Sequence, residues 1–158
     1  MRRSEREITD GKELLQLLQK GSVLHLGLSD GGRPYVVPLS YGWLEEEGGI
    51  SLYFHCALEG RKLDIIRKNS RCAGVITGDA GIVRGAQACS WSASYASLML
   101  EGEVEILEDE AQKKRGLDAL MRHYGWEGEA PYSEAALKKA LVCRVRVRSL
   151  TGKRSPHV

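Results

Sequence analysis

Apolar and polar positions alternate along this chain with two different periods, and the changes of period mark out its elements. Between Ile8 and Lys20 the apolar residues Leu14, Leu15, Leu17 and Leu18 share one face of a helix that opens at Asp10 as N-cap and stops at Gly21. From Ser22 to Leu28 the period becomes two. Leu24, Leu26 and Leu28 then lie opposite Val23, His25 and Gly27, which predicts a strand. Ser29-Asp30-Gly31-Gly32 turns the chain into a second strand, Pro34 to Trp43. Pro38 cannot donate a ladder hydrogen bond, so this strand is expected at an edge, a bulge or a bend. A third strand, Ile50 to Cys56, sets Ile50, Leu52, Phe54 and Cys56 against a polar, aromatic face of Ser51, Tyr53 and His55.

The pattern continues with a short helix from Gly60 to Asn69, Leu63 and Ile66 inward, and an apolar run of strand length from Arg71 to Thr77. Asp79 to Ala93 is rich in Gly, Ala and Ser and reads as a loop or ragged strand. Tyr95 to Glu108 alternates over a long stretch, with Leu98, Leu100, Val104 and Ile106 facing away from Ser97, Glu101, Glu103 and Glu105. Asp109 to Tyr124 is an amphipathic helix with Leu117, Leu120 and Met121 inward, ended by Gly125, and Ser133 caps a shorter helix through Ala140. Leu141 to Leu150 closes the chain by alternating Cys143, Val145 and Val147 with Arg144, Arg146 and Arg148. Six strands in short hairpins with peripheral helices predict a β-rich α+β fold, an antiparallel barrel rather than a βαβ repeat. At 158 residues, 1–158 is read as one domain.

Composition narrows this further. One Phe and 18 Gly imply a core of Val, Leu and Ile with many tight turns. The formal charge is +2 and the basic residues are dispersed, so no nucleic-acid partner is called for. Arg2-Arg3 and Lys153-Arg154 read as solvated termini. Cys56, Cys72, Cys89 and Cys143 are widely spaced, form no C-x-x-C pair and have no His at zinc spacing. They are expected to be reduced thiols, mostly small core residues, with no metal site. No apolar stretch approaches the roughly 18 residues of a membrane helix, so the expectation is a cytoplasmic protein with no membrane partner.

Candidate chemistry concentrates in the segment from Leu52 to Asp64, a strand passing through a tight connection into a helix. Gly60 at the helix start, followed by Arg61 and Lys62, suits a phosphate, because free backbone N–H groups and cations converge there. A solvated basic face is the plainer alternative. His55, on the polar face of its strand, is placed to donate to a ligand or to serve as a structural histidine. His25 has less to recommend it, and His123 and His157 read as surface residues.

Three runs in this order carry a family resemblance. They are Pro34-Tyr35-Val36-Val37-Pro38-Leu39-Ser40-Tyr41, then Tyr53-Phe54-His55-Cys56-Ala57 with Gly60-Arg61-Lys62-Leu63-Asp64, and then Tyr95-Ala96-Ser97-Leu98 leading to Gly102, followed by a terminal Thr151-Gly152-Lys153-Arg154. Together they resemble the pyridoxamine-phosphate-oxidase-related flavoproteins, especially their nitroimidazole-resistance branch, over about Asp10 to Ser155. The resemblance implies a six-stranded FMN-binding split barrel that dimerises, with flavin sites between the subunits. By that likeness the backbone of Val37, Pro38, Leu39 and Ser40 would face the isoalloxazine ring. Phe54 and His55 would border the ring and ribityl chain, and Arg61 with Lys62 would hold the phosphate. Tyr95 and Ser97 would approach from the long strand. His55 matches the position of that branch's active-site histidine.

The sequence also departs from the family. It lacks the C-terminal Trp-and-Arg arrangement of true pyridoxamine phosphate oxidases, so the tail Arg154-Ser155-Pro156-His157-Val158 argues against vitamin B6 synthesis. Gly85 to Ala93, containing Trp91, matches no pattern and is a candidate for substrate choice. The resulting expectation is an FMN-dependent oxidoreductase passing hydride to a small planar acceptor, with FAD or another flavin left open as cofactor. The alternative is a non-catalytic flavin- or haem-binding protein or redox sensor on the same fold.

Overall fold

The computed structural model describes residues 3–155, with Asp79 described by its backbone alone. Arg2 and His157, together with Pro156 and Val158 of the tail, lie outside the described residues. After a two-residue strand β1 (Glu7–Ile8), helix α1 (Gly11–Lys20) starts at Asp10, whose Oδ1 accepts from the Lys12 N–H at 2.9 Å. Leu17 and Leu18 turn into the core. The remaining strands are β2 (Leu24–Asp30), β3 (Arg33–Leu39), β4 (Gly42–Glu46), β5 (Gly49–Cys56), β6 (Arg71–Val83), β7 (Ser92–Leu107) and β8 (Leu141–Arg154). Helices α2 (Arg61–Lys68), α3 (Glu110–His123) and α4 (Glu134–Lys139) complete the chain. Among the described residues no helix is long and apolar enough to cross a membrane.

All strands belong to one antiparallel sheet in the order β3-β2-β6-β7-β8-β5-β4, with β1 paired to the end of β8. The alternation read from the sequence is the alternation of burial. Leu24, Leu26, Ile76, Leu98, Leu100, Leu52, Phe54, Cys143 and Val145 come from strands far apart on that path and pack into a single cluster. Only a sheet curled round on itself places them together. Its two end strands, β3 and β4, follow one another in the chain and are not paired to each other among the described residues. The molecule is therefore a split β-barrel, and Pro38 sits, as expected, on an edge strand.

The strand count is eight rather than six, for two reasons. The run from Pro34 to Trp43 breaks at Ser40-Tyr41, because the buried Tyr41 hydroxyl turns to the carbonyls of Leu18 at 2.7 Å and Gly21 at 3.0 Å. Glu7 and Ile8 pair with Lys153 and Gly152, a contact with no local signature. Asp79 to Ala93 is likewise more regular than expected. β6 runs on to Val83 and pairs with β7 through Val83↔Ser92, after a register shift between Thr77 and Ala80.

Two further expectations need correction. The polar face of β5 is open only at His55: Ser51 is 6% and Tyr53 2% exposed, and α3 lies across Tyr53. The face of α3 that does this is Gly116, Ala119 and Leu120, while Leu117 and Met121 stay half-buried. His123 is not a plain surface residue either. Its Nε2–H donates to the Gly21 carbonyl at 2.7 Å, its ring lies 4.5 Å from that of Tyr41, and its Nδ1 is buried without a partner. Burial lowers its pKa, against the Gly21 bond, which raises it.

Candidate functional site

α2 differs from the other three α-helices at its first turn. Asp10, Asp109 and Ser133 cap α1, α3 and α4 with side-chain oxygens. Gly60 gives α2 no such cap, and its φ of 142° with open space at the Cβ position leaves a bare backbone entrance. The first N–H groups of α2 are thus left to other partners. Arg61 lies beside this entrance, its guanidinium 5.0 Å from the Tyr35 ring centroid and 3.8 Å from Asp30. Lys62 is half-buried. Its charge also reaches Cys56: a hydrogen bond from the Cys143 thiol, and then Lys62 and Arg67, hold the Cys56 thiol below its ordinary pKa against burial, which raises it. Cys56, Cys72 and Cys143 are buried free thiols, and Cys89 is exposed.

Because Arg61 touches Tyr35 of β3, the phosphate-suited end of α2 opens onto the free edge of the barrel. From Tyr35 to Ser40 that edge runs roughly 16 Å. Val37 and Leu39 point inward and Pro38 and Ser40 outward, so the edge offers its backbone and not a row of side chains. His55 is exposed at the end of β5, before the connection to α2. Phe54 is a correction: its ring is wholly buried, so that side chain cannot border a ligand. It belongs to the core because β5 alternates and His55 takes the outward position.

Tyr95 and Ser97 lie elsewhere. On the outer face of the sheet the ladders align Pro38, His25, Val75, Met99 and Thr151 in one row and Val36, Gly27, Ala73, Glu101 and Ser149 in the next. Among the described residues no helix covers these rows. Val36 is 63% and Met99 55% exposed, and Gly27 and Ala73 leave between them a hollow of about 360 Å³. Thr77, Ser97 and Lys153 form the adjoining row, with Tyr95 beyond it. Strands β2 and β6 stand between the β3 edge and β7, a width of roughly 14 Å. From the level of His55 to that of Ser97 is a further ten residues along β7.

Phe54 aside, the chain therefore gathers the nine other sequence-derived residues into two groups that reach the surface. One is His55, Arg61, Lys62 and the edge from Val37 to Ser40; the other is Tyr95 with Ser97. Sequence reasoning missed the side chains around Tyr95. Arg6 Nη1 donates to the Tyr95 hydroxyl at 3.2 Å, and Lys153 Nζ lies 5.7 Å from its ring centroid. Lys153 was visible only in the basic pair Lys153-Arg154 and the run Thr151-Gly152-Lys153-Arg154, and Arg6 carried no signal because the β1–β8 pairing brings it there.

Comparison with known proteins bears on this arrangement. A family model described as pyridoxamine 5′-phosphate oxidase matches residues 10–154. No curated protein matches the chain. Among solved structures, a proposed 5-nitroimidazole antibiotic resistance protein from Bacteroides thetaiotaomicron is 32% identical, with a TM-score of 0.80 over 94% of this chain and 86% of that one. The FAD and haem binding protein of Mycobacterium smegmatis is 22% identical, with a TM-score of 0.82 over 96% of this chain and 74% of the other. The flavocytochrome of Azotobacter vinelandii is also 22% identical, at a TM-score of 0.79 over 98% and 72%. The last two are likenesses of fold.

Proposed function

Because the chain belongs to the pyridoxamine 5′-phosphate oxidase family, we propose that it is a homodimeric flavoprotein that binds FMN between its subunits and reduces a small planar acceptor. The observation that carries this reading is the division of the candidate residues into two exposed groups on either side of an uncovered apolar sheet face. A two-fold contact through that face sets the first group of one copy against the second group of the other.

The residues present fit the cofactor. The uncapped first turn of α2, entered through Gly60 and flanked by Arg61 and Lys62, is a phosphate cradle made from orphan N–H groups and two cations. The β3 edge leads away from it for about the length of a flavin, with unpaired backbone donors and acceptors to meet the polar rim of a ring. When bound, FMN would supply the hydride chemistry. The chain's own part is to hold and orient. Arg61, stacked on Tyr35, anchors the phosphate and keeps the guanidinium pre-set; Val37 to Ser40 fix the plane of the ring. His55, free on the surface, positions the acceptor or passes it a proton. Tyr95 and Ser97 close the site from the partner copy and help to exclude water.

The test is titration of the purified protein with FMN, followed by absorbance and sedimentation. One flavin per subunit of a dimer is expected. The double variant R61A/K62A should weaken FMN by more than about tenfold, the worth of one charge-assisted hydrogen bond, and leave lumiflavin, which has no phosphate, unaffected. Absence of flavin binding, or equal loss for both ligands, overturns the cradle. The second reading, a carrier or sensor on the same fold, takes its motive from the haem-containing likenesses. A haem band, or bound flavin with no steady-state oxidation of reduced nicotinamide by any nitroaromatic acceptor, would favour it.

A further inference from the structure

The arginines of β8 are matched by carboxylates. Arg144 and Arg146 share Glu105 at 2.7 and 2.9 Å, Arg148 meets Glu103 at 3.4 Å, and Arg154 meets Glu13 at 2.9 Å. The cations around Tyr95 are not matched in this way. Lys153 makes no ion pair among the described residues, although Glu7 is its register partner on β1. The carboxylate paired with Arg6 is Glu5, at 4.0 Å, which is the outer limit of an ion pair and is itself exposed. Arg6 instead donates to the Tyr95 hydroxyl.

This group is also held firmly. The Tyr95 N–H donates to Ser155 Oγ at 3.2 Å and the Ser155 N–H donates to the Tyr95 carbonyl at 2.8 Å, which fixes the backbone under the phenol. Ser97 stands between Thr77 and Lys153 in one ladder row, so two hydroxyls face the ammonium side. The field at this point is positive: the hydrogen bond from Arg6, then Lys153, holds the Tyr95 phenol below its ordinary pKa. The apolar hollow is contiguous with it. Met99 and Thr151, which line the hollow, are two residues from Ser97 and Lys153 on the same face, a step of roughly 7 Å.

One cation without an ion pair among the described residues, Lys153, and one weakly paired, Arg6, stand with hydroxyl donors at the end of a shallow apolar surface and are complementary to a flat molecule bearing one anionic group at its end. We propose that Arg6, Ser97 and Lys153, grouped around Tyr95, form an anion-binding subsite that selects acceptors carrying a carboxylate or similar monoanion. The subsite is built by one chain. It rests on the flavoprotein reading only in that the bound molecule is the acceptor, delivered to the flavin edge of the partner copy.

The experiment compares 4-nitrobenzoate with its neutral isostere 4-nitrobenzamide. Equilibrium dialysis of both probes against the full chain, with and without FMN, gives binding, and kcat/KM for the two gives the functional ratio. The wild type should prefer the anion by about tenfold, as expected for one charge-assisted hydrogen bond, and the preference should shrink as salt is raised. Lys153→Gln and Arg6→Gln should each abolish the preference while FMN affinity holds, whereas Lys139→Gln, on α4 far from the group, should keep it. Equal binding of the two probes by the wild type, or an undiminished preference in Lys153→Gln, overturns the subsite. Failure of FMN to bind would overturn the flavoprotein reading instead, and the probe preference measured without FMN would still decide this one.

Discussion

The two ends of the outer sheet surface belong to one continuous sheet and share β8, yet they are finished in opposite ways. Over β4, β5 and the start of β8, α3 covers the sheet, Tyr53 donates to Glu46 at 2.9 Å, and Arg115, Arg144 and Arg146 are neutralised by Glu46 and Glu105. Over the outer rows of β2, β6, β7 and the end of β8 there is no helix among the described residues. Val36, Val75 and Met99 meet solvent, and Lys153 has no carboxylate partner among the described residues. The covered end is complete within one chain, so its residues serve stability. The bare end combines an apolar patch with unspent cations, which is what a surface designed to meet another molecule presents.

Crossed substitutions separate these roles, and the largest effect should come from the bare end. Met99 is 55% exposed, so Met99→Glu should change the stability of a lone subunit by no more than about 0.5 kcal/mol. In the proposed dimer the carboxylate would be buried unpaired and the two-fold would repeat it. Each copy should cost several kcal/mol, on the order of the roughly 3–5 kcal/mol of an uncompensated charge. Sedimentation should show monomers with an unchanged circular dichroism spectrum; a persisting dimer would move the contact to another face.

The covered end should answer in the reverse sense. A Cβ on Gly42 would lie 2.2 Å from the Leu120 nitrogen and 2.3 Å from the Ala119 carbonyl carbon, both backbone of α3, and neither can yield without moving the helix. Gly42→Ala should therefore lower stability by about 3 kcal/mol and Tm by about 10 °C, with no direct effect on association. Urea unfolding at fixed protein concentration checks it. A loss under about 1 kcal/mol would mean that α3 is not seated on β4 as closely as the structure has it.

This contrast also explains what the sequence could disclose. The inward alternations of β2, β5 and β7 and the caps Asp10 and Ser133 are local matters, decided by period and by one side chain, and they were legible. What α3 covers is a tertiary fact: Tyr53 and His55 alternate identically, yet one is buried and the other exposed. The break after Leu39 depends on Tyr41 finding carbonyls about twenty residues away, and no window around Ser40 contains them. For the site, the Gly60-Arg61-Lys62 entrance could be argued from helix chemistry, whereas the pairing of Arg61 with Tyr35 and of Arg6 with Tyr95 is made by strand order. Phe54 illustrates the limit of a family pattern, which names a position without saying which way it points.

The smallest effect lies at the border of the covered end, where α3 closes on α1 through His123. The imidazole donates to Gly21, which also accepts from Tyr41, and burial disfavours its charged form. Its pKa in the folded state is thus below that of the unfolded chain, about 6.5. Above that value both states are neutral and the contact contributes in full. As pH falls below about 6.5 the unfolded chain takes up the proton first, so stability declines until the folded-state pKa is passed. His123→Asn keeps an amide donor near Gly21 and removes the titration. The difference in unfolding free energy between wild type and variant should be flat above about pH 7. It should turn against the wild type below about 6.5 by less than about 1 kcal/mol, with the carboxylate contributions cancelling between the two proteins. A difference that stays flat through pH 5 would show that His123 takes up its proton in place, its unpartnered Nδ1 reaching water, and that the α1–α3 junction is looser than the matched surface beside it.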